Sequence, residues 1–228
     1  MDRGAVTFLD VLGWKGIWTR DDEAIGKLRS LIAESREAVE GAVAQGGEHI
    51  PALRGYDARR VQIESISDTI VLFTPGDAIP TLWLHGALCQ VILCSSMDRK
   101  IPVRGATCYG DYATEDRIMV GPAIDEAASW HEAADWIGVI QTPSAYLLYT
   151  HPPGLPALWV EYAPPLKSGR IDTRCVDWSR HWRERLGRAE PDLTALFTSV
   201  GPLDTSIAGK YLNTFKFYKA FSAAAAQQ

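Results

Sequence analysis

The stretch whose reading decides the fold is Ala5-Val6-Thr7-Phe8-Leu9-Asp10-Val11-Leu12-Gly13-Trp14-Lys15-Gly16-Ile17-Trp18. Its first half is a short run of β-branched and aromatic residues, the composition of a buried strand. The run ends in one acid, Asp10, with Gly13 close behind it. The stretch therefore reads as a strand that carries a carboxylate to its exit and then turns sharply towards a helix. A second stretch is built the same way. Residues 61–67 alternate apolar and polar side chains, and Asp68 is followed by the apolar run Thr69-Ile70-Val71-Leu72-Phe73. Two strands meeting at Ser65–Asp68 predict a tight hairpin with the acid at its tip. Acids embedded in apolar strands are costly unless something cationic compensates them. A pair of divalent metal ions held by Asp10 and Asp68 would do so. Magnesium takes only one or two carboxylates besides water and substrate phosphate, so two aspartates suffice. At the turn, Leu12, Gly13 and Trp14 can offer backbone N–H groups to phosphate oxygens.

Outward from these stretches, Asp21-Asp22-Glu23 put acids where a helix begins. Ile25, Leu28, Ile32, Val39 and Val43 then recur near helical spacing to about Ala44, and Gly46-Gly47 is expected to end that helix. A polar connection follows, with Pro51, Tyr56 and a basic cluster of Arg54, Arg59 and Arg60. Residues 77–97 read as an apolar, buried helix. Ile101–Gly110 reads as a strand in which Gly105 marks close backbone approach or a bulge. Residues 117–120 form a short strand, Gly121-Pro122 opens a helix reaching about Trp136, and Ile137–Ile140 is a further strand. Thr142-Pro143-Ser144 starts a short helix. The order β-α-β-β-α-β-β-α-β mixes hairpins with helices. It predicts an α+β fold with a mixed or antiparallel sheet and helices on one face. Residues 1–150 are read as the catalytic domain. Residues 151–228 are read as a C-terminal extension packed on or near it, with a charged helix from Trp178 to about Arg188, two short helices between 192 and 221, and a frayed end from Ser222.

Composition narrows the function classes. The chain has 228 residues, 46% hydrophobic and 22% charged, with a net charge of −5. That excludes a broad nucleic-acid-binding face while leaving room for a local basic pocket. No apolar run is read as a membrane span, and the N-terminus does not read as a signal peptide. Cytoplasmic placement follows as the expectation. The four cysteines show no CxxC spacing and are read as reduced thiols. The five histidines form no HxxxH or HExxH pattern and are not read as metal ligands.

Four segments carry a family resemblance. Phe8-Leu9-Asp10-Val11-Leu12-Gly13-Trp14 resembles the FxDIxGF opening of class III nucleotidyl cyclase catalytic domains. Ile66–Phe73 resembles their second-aspartate hairpin, Val103-Arg104-Gly105-Ala106 with Gly110 resembles the RxGIHxG strand, and Gly121–Ala128 resembles the helix that follows. The four come in the family's order over about residues 5–145. The resemblance implies a cyclase-like palm, with a ferredoxin-like sheet and helices packed on it. It implies two Mg²⁺ or Mn²⁺ ions held by Asp10, Asp68 and the Val11 carbonyl. Leu12, Gly13 and Trp14 would cradle phosphates, Arg104 would contact the triphosphate, and two copies of the chain would form a head-to-tail homodimer with sites at its interface.

The departures bear on the base. Glu64 stands where adenylyl cyclases carry the adenine-reading lysine, and Ile118 stands where they carry its aspartate partner. Asp125 and Ser129 stand where the family has its asparagine and arginine. With VRGA in place of RxGIH, and an extension of about 80 residues, the chain looks like the pyrimidine cyclases of bacterial Pycsar anti-phage systems. That resemblance implies UTP as substrate, cyclic UMP as product and a separate effector activated by the cyclic nucleotide. A pyrimidine needs a smaller pocket, which Trp14, Tyr56 or Ile118 could fill, and Arg54, Arg59 or Arg60 could donate to the base. CTP or GTP as substrate, a degenerate non-catalytic nucleotide-binding regulator, and an interaction module presenting tryptophans stay open.

Overall fold

Both faces of the first strand are apolar, and this decides the layering. The fold is seen in a computed structural model that describes residues 1–116, 118–200, 202 and 205–223. In chain order the elements are β1 (Asp2–Val11), α1 (Ala24–His49), β2 (Gln62–Ile66), β3 (Thr69–Pro75), α2 (Ala78–Asp98), β4 (Val103–Glu115), β5 (Ile118–Val120), α3 (Pro122–Trp130), β6 (Gly138–Gln141) and α4 (Pro143–Leu148). The remainder contains β7 (Trp159–Tyr162), a two-residue-per-strand hairpin β8 (Pro165–Leu166) and β9 (Gly169–Arg170), β10 (Thr173–Val176), α5 (Trp178–Arg180), α6 (Leu193–Val200) and α7 (Thr205–Ala223). The nine elements from β1 to β6 follow the expected order. Residue 117, expected at the start of β5, and residues 224–228, expected to fray, lie outside the described residues.

The main sheet runs β2-β3-β1-β4-β6-β10-β7, with β5 paired to the end of β4. Among the described residues only β4 and β6 pair in parallel; the other pairs are antiparallel. The fold is therefore α+β with a mixed sheet. Ala5, Leu9 and Val11 face a large core shared with Leu28, Leu31, Leu84 and Leu88 of α1 and α2. Val6 and Phe8 point the other way, into a smaller core with Ala123, Ile124 and Ala127 of α3. Helices thus cover both faces, where the element order alone predicted one. A strand apolar on both sides needs cover on both.

Three helix boundaries also differ. The charged helix expected from Trp178 to about Arg188 is α5 followed by a π-helical stretch, His181–Arg185. α1 runs through Gly46-Gly47 and stops at Ile50, in front of Pro51. The residue before a proline is pushed to extended backbone, and Ile50 adopts it. Gly46 serves packing: a Cβ there would come within 2.5 Å of Leu53 and 2.7 Å of the Trp83 ring. α3 ends at Trp130, six residues before the expected Trp136, because the chain must drop there into β6. α2 is by length and composition apolar enough to cross a membrane, contrary to the reading of apolar runs. Here it packs against both α1 and the sheet, with Leu82, Trp83, Leu84, Leu88, Ile92 and Leu93 fully buried.

The C-terminal residues continue the same sheet. β10 pairs with β6 through Cys175 and Ile140, and β7 lies beyond it. Trp178 and Phe217 join the large core, with ring centroids 6.0 Å apart. All four cysteines are free and buried.

Candidate active site

Asp10 is the penultimate residue of β1, paired with Thr69 of β3 on one side and Arg104 of β4 on the other. It lies on the α3 face of the sheet, in step with Val6 and Phe8. The register depends on Gly105. A Cβ there would run into the Phe8 carbonyl oxygen and come within 2.6 Å of a Leu9 methyl. The missing side chain lets β4 close on β1 beside the acid. This is the close approach that a glycine inside a strand announces.

Asp68 sits in the two-residue turn between β2 and β3, where Ser67 takes a positive φ of 56°. The Asp68 carbonyl accepts from the Val11 N–H at 3.2 Å, so the β2–β3 turn is tied to the end of β1. The two aspartates feel each other. The Asp10 carboxyl is raised above the usual range, first by burial and further by the charges of Asp68 and Glu132, with Arg104 acting against this. Arg104, with its side chain only 8% exposed, donates from Nε and Nη2 to Asp10 Oδ2, both at 3.2 Å, and from Nη1 to the Ala134 carbonyl at 3.1 Å. Its guanidinium is thus committed to Asp10, where the resemblance assigned it to a triphosphate.

After β1 the chain turns as expected. The Leu12 N–H donates to Pro102 at 2.8 Å, and Gly13 takes a φ of 74°. Arg20 reaches back to the Gly13 carbonyl. Trp14 is partly buried against the large core. Beside this turn opens a groove of about 590 Å³ lined by Leu12, Gly13, Arg20, Lys27 and Lys100, with Thr198 and Ser199 of α6 on its rim. The sequence pattern did not single out Lys27 and Lys100. They belong to α1 and to the α2–β4 connection, and only folding brings them to the Gly13 turn.

Of the residues considered for the base, Tyr56, Arg59, Arg60 and Ile118 lie apart from this end of the sheet. Tyr56 donates to the Pro75 carbonyl at 2.6 Å. Pro75 is six residues along β3 from Thr69, or about 20 Å. Arg60 stacks over Tyr56 at 5.3 Å, and Arg59 pairs with Asp57 at 3.0 Å. Ile118 is 67% exposed on β5, at the far end of β4. Glu64 is exposed on β2 opposite Val71, on the same face as Asp10. Asp125 and Ser129 are exposed on α3. One chain therefore brings together Asp10, Val11, Leu12, Gly13, Trp14, Asp68 and Arg104. It leaves Tyr56, Arg59, Arg60 and Ile118 at the opposite end.

The donor set suits divalent cations. Asp10 is a part-buried acid whose carboxyl is pushed up despite its arginine, and the charge of Asp68 acts on it. The chain just beyond α3 adds His131 and Glu132 beside Asp10. Sequence spacing gave no sign of these two, because their nearness to Asp10 comes from α3 crossing the sheet.

No protein-family model matches the chain, and no curated protein matches it. Solved structures similar to it are guanylyl and adenylyl cyclases. The catalytic core of a rhodopsin-guanylyl cyclase with converted specificity, in complex with ATPalphaS, is 13% identical with a TM-score of 0.48, covering 77% of this chain and 95% of that one. The dimeric guanylyl cyclase domain of the RhoGC fusion protein from the aquatic fungus Blastocladiella emersonii is 14% identical with a TM-score of 0.47, covering 78% and 97%. An adenylate cyclase from Trypanosoma brucei in its monomeric state is 11% identical with a TM-score of 0.45, covering 78% and 90%. At these values the likeness decides nothing about activity, and the functional argument rests on the site's own geometry.

Proposed function

We propose that the chain is a nucleotidyl cyclase that converts UTP to 3′,5′-cyclic UMP and pyrophosphate. The observation that carries this reading is the part-buried Asp10 carboxylate at the exit of β1, tied through Val11 to the Asp68 turn and followed by the Gly13 turn. Asp10, Asp68 and the Val11 carbonyl would hold two divalent cations, Mg²⁺ or Mn²⁺. When bound, such ions supply positive charge for the triphosphate and the developing charge of in-line phosphoryl transfer. In the reaction the ribose 3′ oxygen forms a bond to the α-phosphorus, the α–β bridging bond breaks, pyrophosphate leaves, and the hydroxyl proton passes to solvent.

The chain's own residues do the positioning. Arg104 fixes the orientation of Asp10. At the turn the Leu12 N–H is taken by the Pro102 carbonyl, so Gly13 and Trp14 would supply the backbone N–H groups, and Lys27, paired with Asp21 at 2.6 Å, and Lys100 border the groove beside it. Donors fixed in this way would favour a polyanion without rearranging when charge develops. Tyr56, Arg59, Arg60, Glu64 and Ile118 would shape the pyrimidine pocket. Because most of them lie about 20 Å or more along the strands from Asp10, a second copy of the chain would supply them in a homodimer. The reading places the enzyme in the cytoplasm, where its product would activate a separate effector in anti-phage defence.

A non-catalytic nucleotide-binding regulator is the second reading, favoured by Asp125 and Ser129, which stand exposed where the family has its asparagine and arginine. One experiment separates the readings. Purified protein is incubated with each radiolabelled nucleoside triphosphate and Mn²⁺, and the products are resolved. Cyclic UMP from UTP is the expected result. Cyclic CMP or cyclic GMP instead would reassign the base. Nucleotide binding without any cyclic product would leave the regulator.

A further inference from the structure

Asp10 has neighbours that the two-aspartate pattern does not use. One ligand-capable atom from each of Asp10, His131 and Glu132 lies within 4.8 Å of the other two. His131 Nδ1 is 2.7 Å from the Ala128 carbonyl oxygen. A carbonyl only accepts, so Nδ1 is the donor, and in the neutral ring that leaves the lone pair on Nε2. Nε2 lies 3.9 Å from Glu132 Oε1. The Phe8 ring packs against the imidazole, centroids 5.8 Å apart, and limits its rotation. Arg104 takes only Oδ2 of Asp10. Among the described residues no hydrogen bond reaches Oδ1. The same guanidinium lies 3.9 Å from Glu132 Oε2, and Lys167 is 3.4 Å from that oxygen. The two cations therefore stand behind the outer oxygens of both carboxylates, and Oε1 of Glu132 faces the imidazole. An imidazole whose other nitrogen donates to a backbone carbonyl, beside carboxylates oriented by outer partners, is the usual build of a metal ligand set.

We propose that Asp10, His131 and Glu132 form a mixed oxygen and nitrogen site for a single divalent transition ion, Mn²⁺ being the natural probe. The imidazole biases the site away from Mg²⁺, which prefers oxygen ligands and its own waters. All three ligands come from one chain, so the site needs no partner copy and no nucleotide. It stands or falls separately from the cyclase reading.

The test is Mn²⁺ alone added to the full chain, followed by electron paramagnetic resonance. Loss of the free-ion signal reports binding, and pulsed measurements report coupling to ¹⁴N. The native protein is expected to show nitrogen coupling that vanishes in His131→Ala. Glu132→Gln, a change at a half-exposed side chain that does not threaten the fold, is expected to keep the coupling and weaken binding by about tenfold or more. No binding, binding without nitrogen coupling, coupling that survives His131→Ala, or an unchanged affinity in Glu132→Gln would each overturn the site. Nitrogen coupling in a protein that makes no cyclic nucleotide would leave this site standing and remove only the cyclase reading. Cyclic product without the coupling would do the reverse.

Discussion

Arg104 stands directly across the β1–β4 ladder from Asp10, and its Nε and Nη2 both donate to one oxygen, Oδ2. The pair is nearly closed off from solvent, with side chains 8% and 15% exposed. A buried pair of this kind contributes little net stability, but removing one partner strands the other charge at a cost of about 3–5 kcal/mol. The arginine thus acts against the rise that burial imposes on the Asp10 carboxyl.

Asp10→Asn should abolish cyclic nucleotide formation and leave the circular dichroism of the fold unchanged. It should also change how stability depends on pH. The native Asp10 carboxyl is raised relative to its unfolded value. The folded state then binds this proton more tightly, so the contribution is present at acid pH and is lost as pH rises through the folded pKa. Urea unfolding of both proteins from pH 4 upward should show the difference moving in favour of the asparagine variant. A constant difference would mean that Asp10 is not shifted in the native state.

Divalent ions should stabilise the native chain, because the donors of the site converge only when β1, the β2–β3 turn and α3 are assembled. At an ion concentration about a hundredfold above Kd, the linkage is worth about 2.7 kcal/mol. For a chain of this length that corresponds to a rise in Tm of about 5–10 °C. Scanning calorimetry with Mn²⁺ should show the rise in the native protein and lose most of it in Asp10→Asn. An equal rise in both would place the ions elsewhere.

Much of this site was legible because its parts are local. Val6–Val11 reads as a strand from its side chains, and Asp10 is conspicuous as the acid in it. The Asp68 hairpin follows from two strands with only Ser67 and Asp68 between them. Gly105 announced the close contact it makes. What the sequence hid is long-range or depends on which face is covered. His131 and Glu132 reach Asp10 only because α3 crosses the second face of the sheet. Arg104 meets Asp10 only through the register of β4. Gly46-Gly47 reads locally as a helix end, but the packing of Leu53 and Trp83 against Gly46 overrides the propensity.

His85 gives a second pH dependence, of opposite sign. It is fully buried on α2, with Nδ1 2.7 Å from the Thr7 hydroxyl and Nε2 2.9 Å from the Thr74 hydroxyl. Burial pushes its pKa down to about 3. An unfolded histidine takes a proton near pH 6.5 and the native one does not, so the stabilisation is complete above that pH and is lost as pH falls towards 3. The loss is about 1.4 kcal/mol per pH unit within this window. His85→Leu should be less stable than the native protein at pH 7, through the two lost hydrogen bonds, with the gap narrowing at pH 5 and pH 4. Parallel stability curves for the two proteins would show that His85 does not govern this limb.

The last prediction concerns the two ends of the sheet. Arg104, beside Asp10, and Glu115, opposite Ile118, are eleven residues apart on β4, or about 36 Å of strand. That exceeds the length of a nucleoside triphosphate, so Asp10 and Ile118 of one chain cannot touch the same substrate. If Ile118 lines the base pocket, it does so for the Asp10 of a second copy. Asp10→Asn and Ile118→Arg proteins should then each be inactive alone. Mixed and allowed to exchange, half of the dimers become mixed, and each mixed dimer regains one native site of two. Activity should recover to about a quarter of the native value, as two-fold symmetry requires. Dimers shown by differential tagging to be mixed, yet still inactive, would place the base pocket within a single chain or away from Ile118.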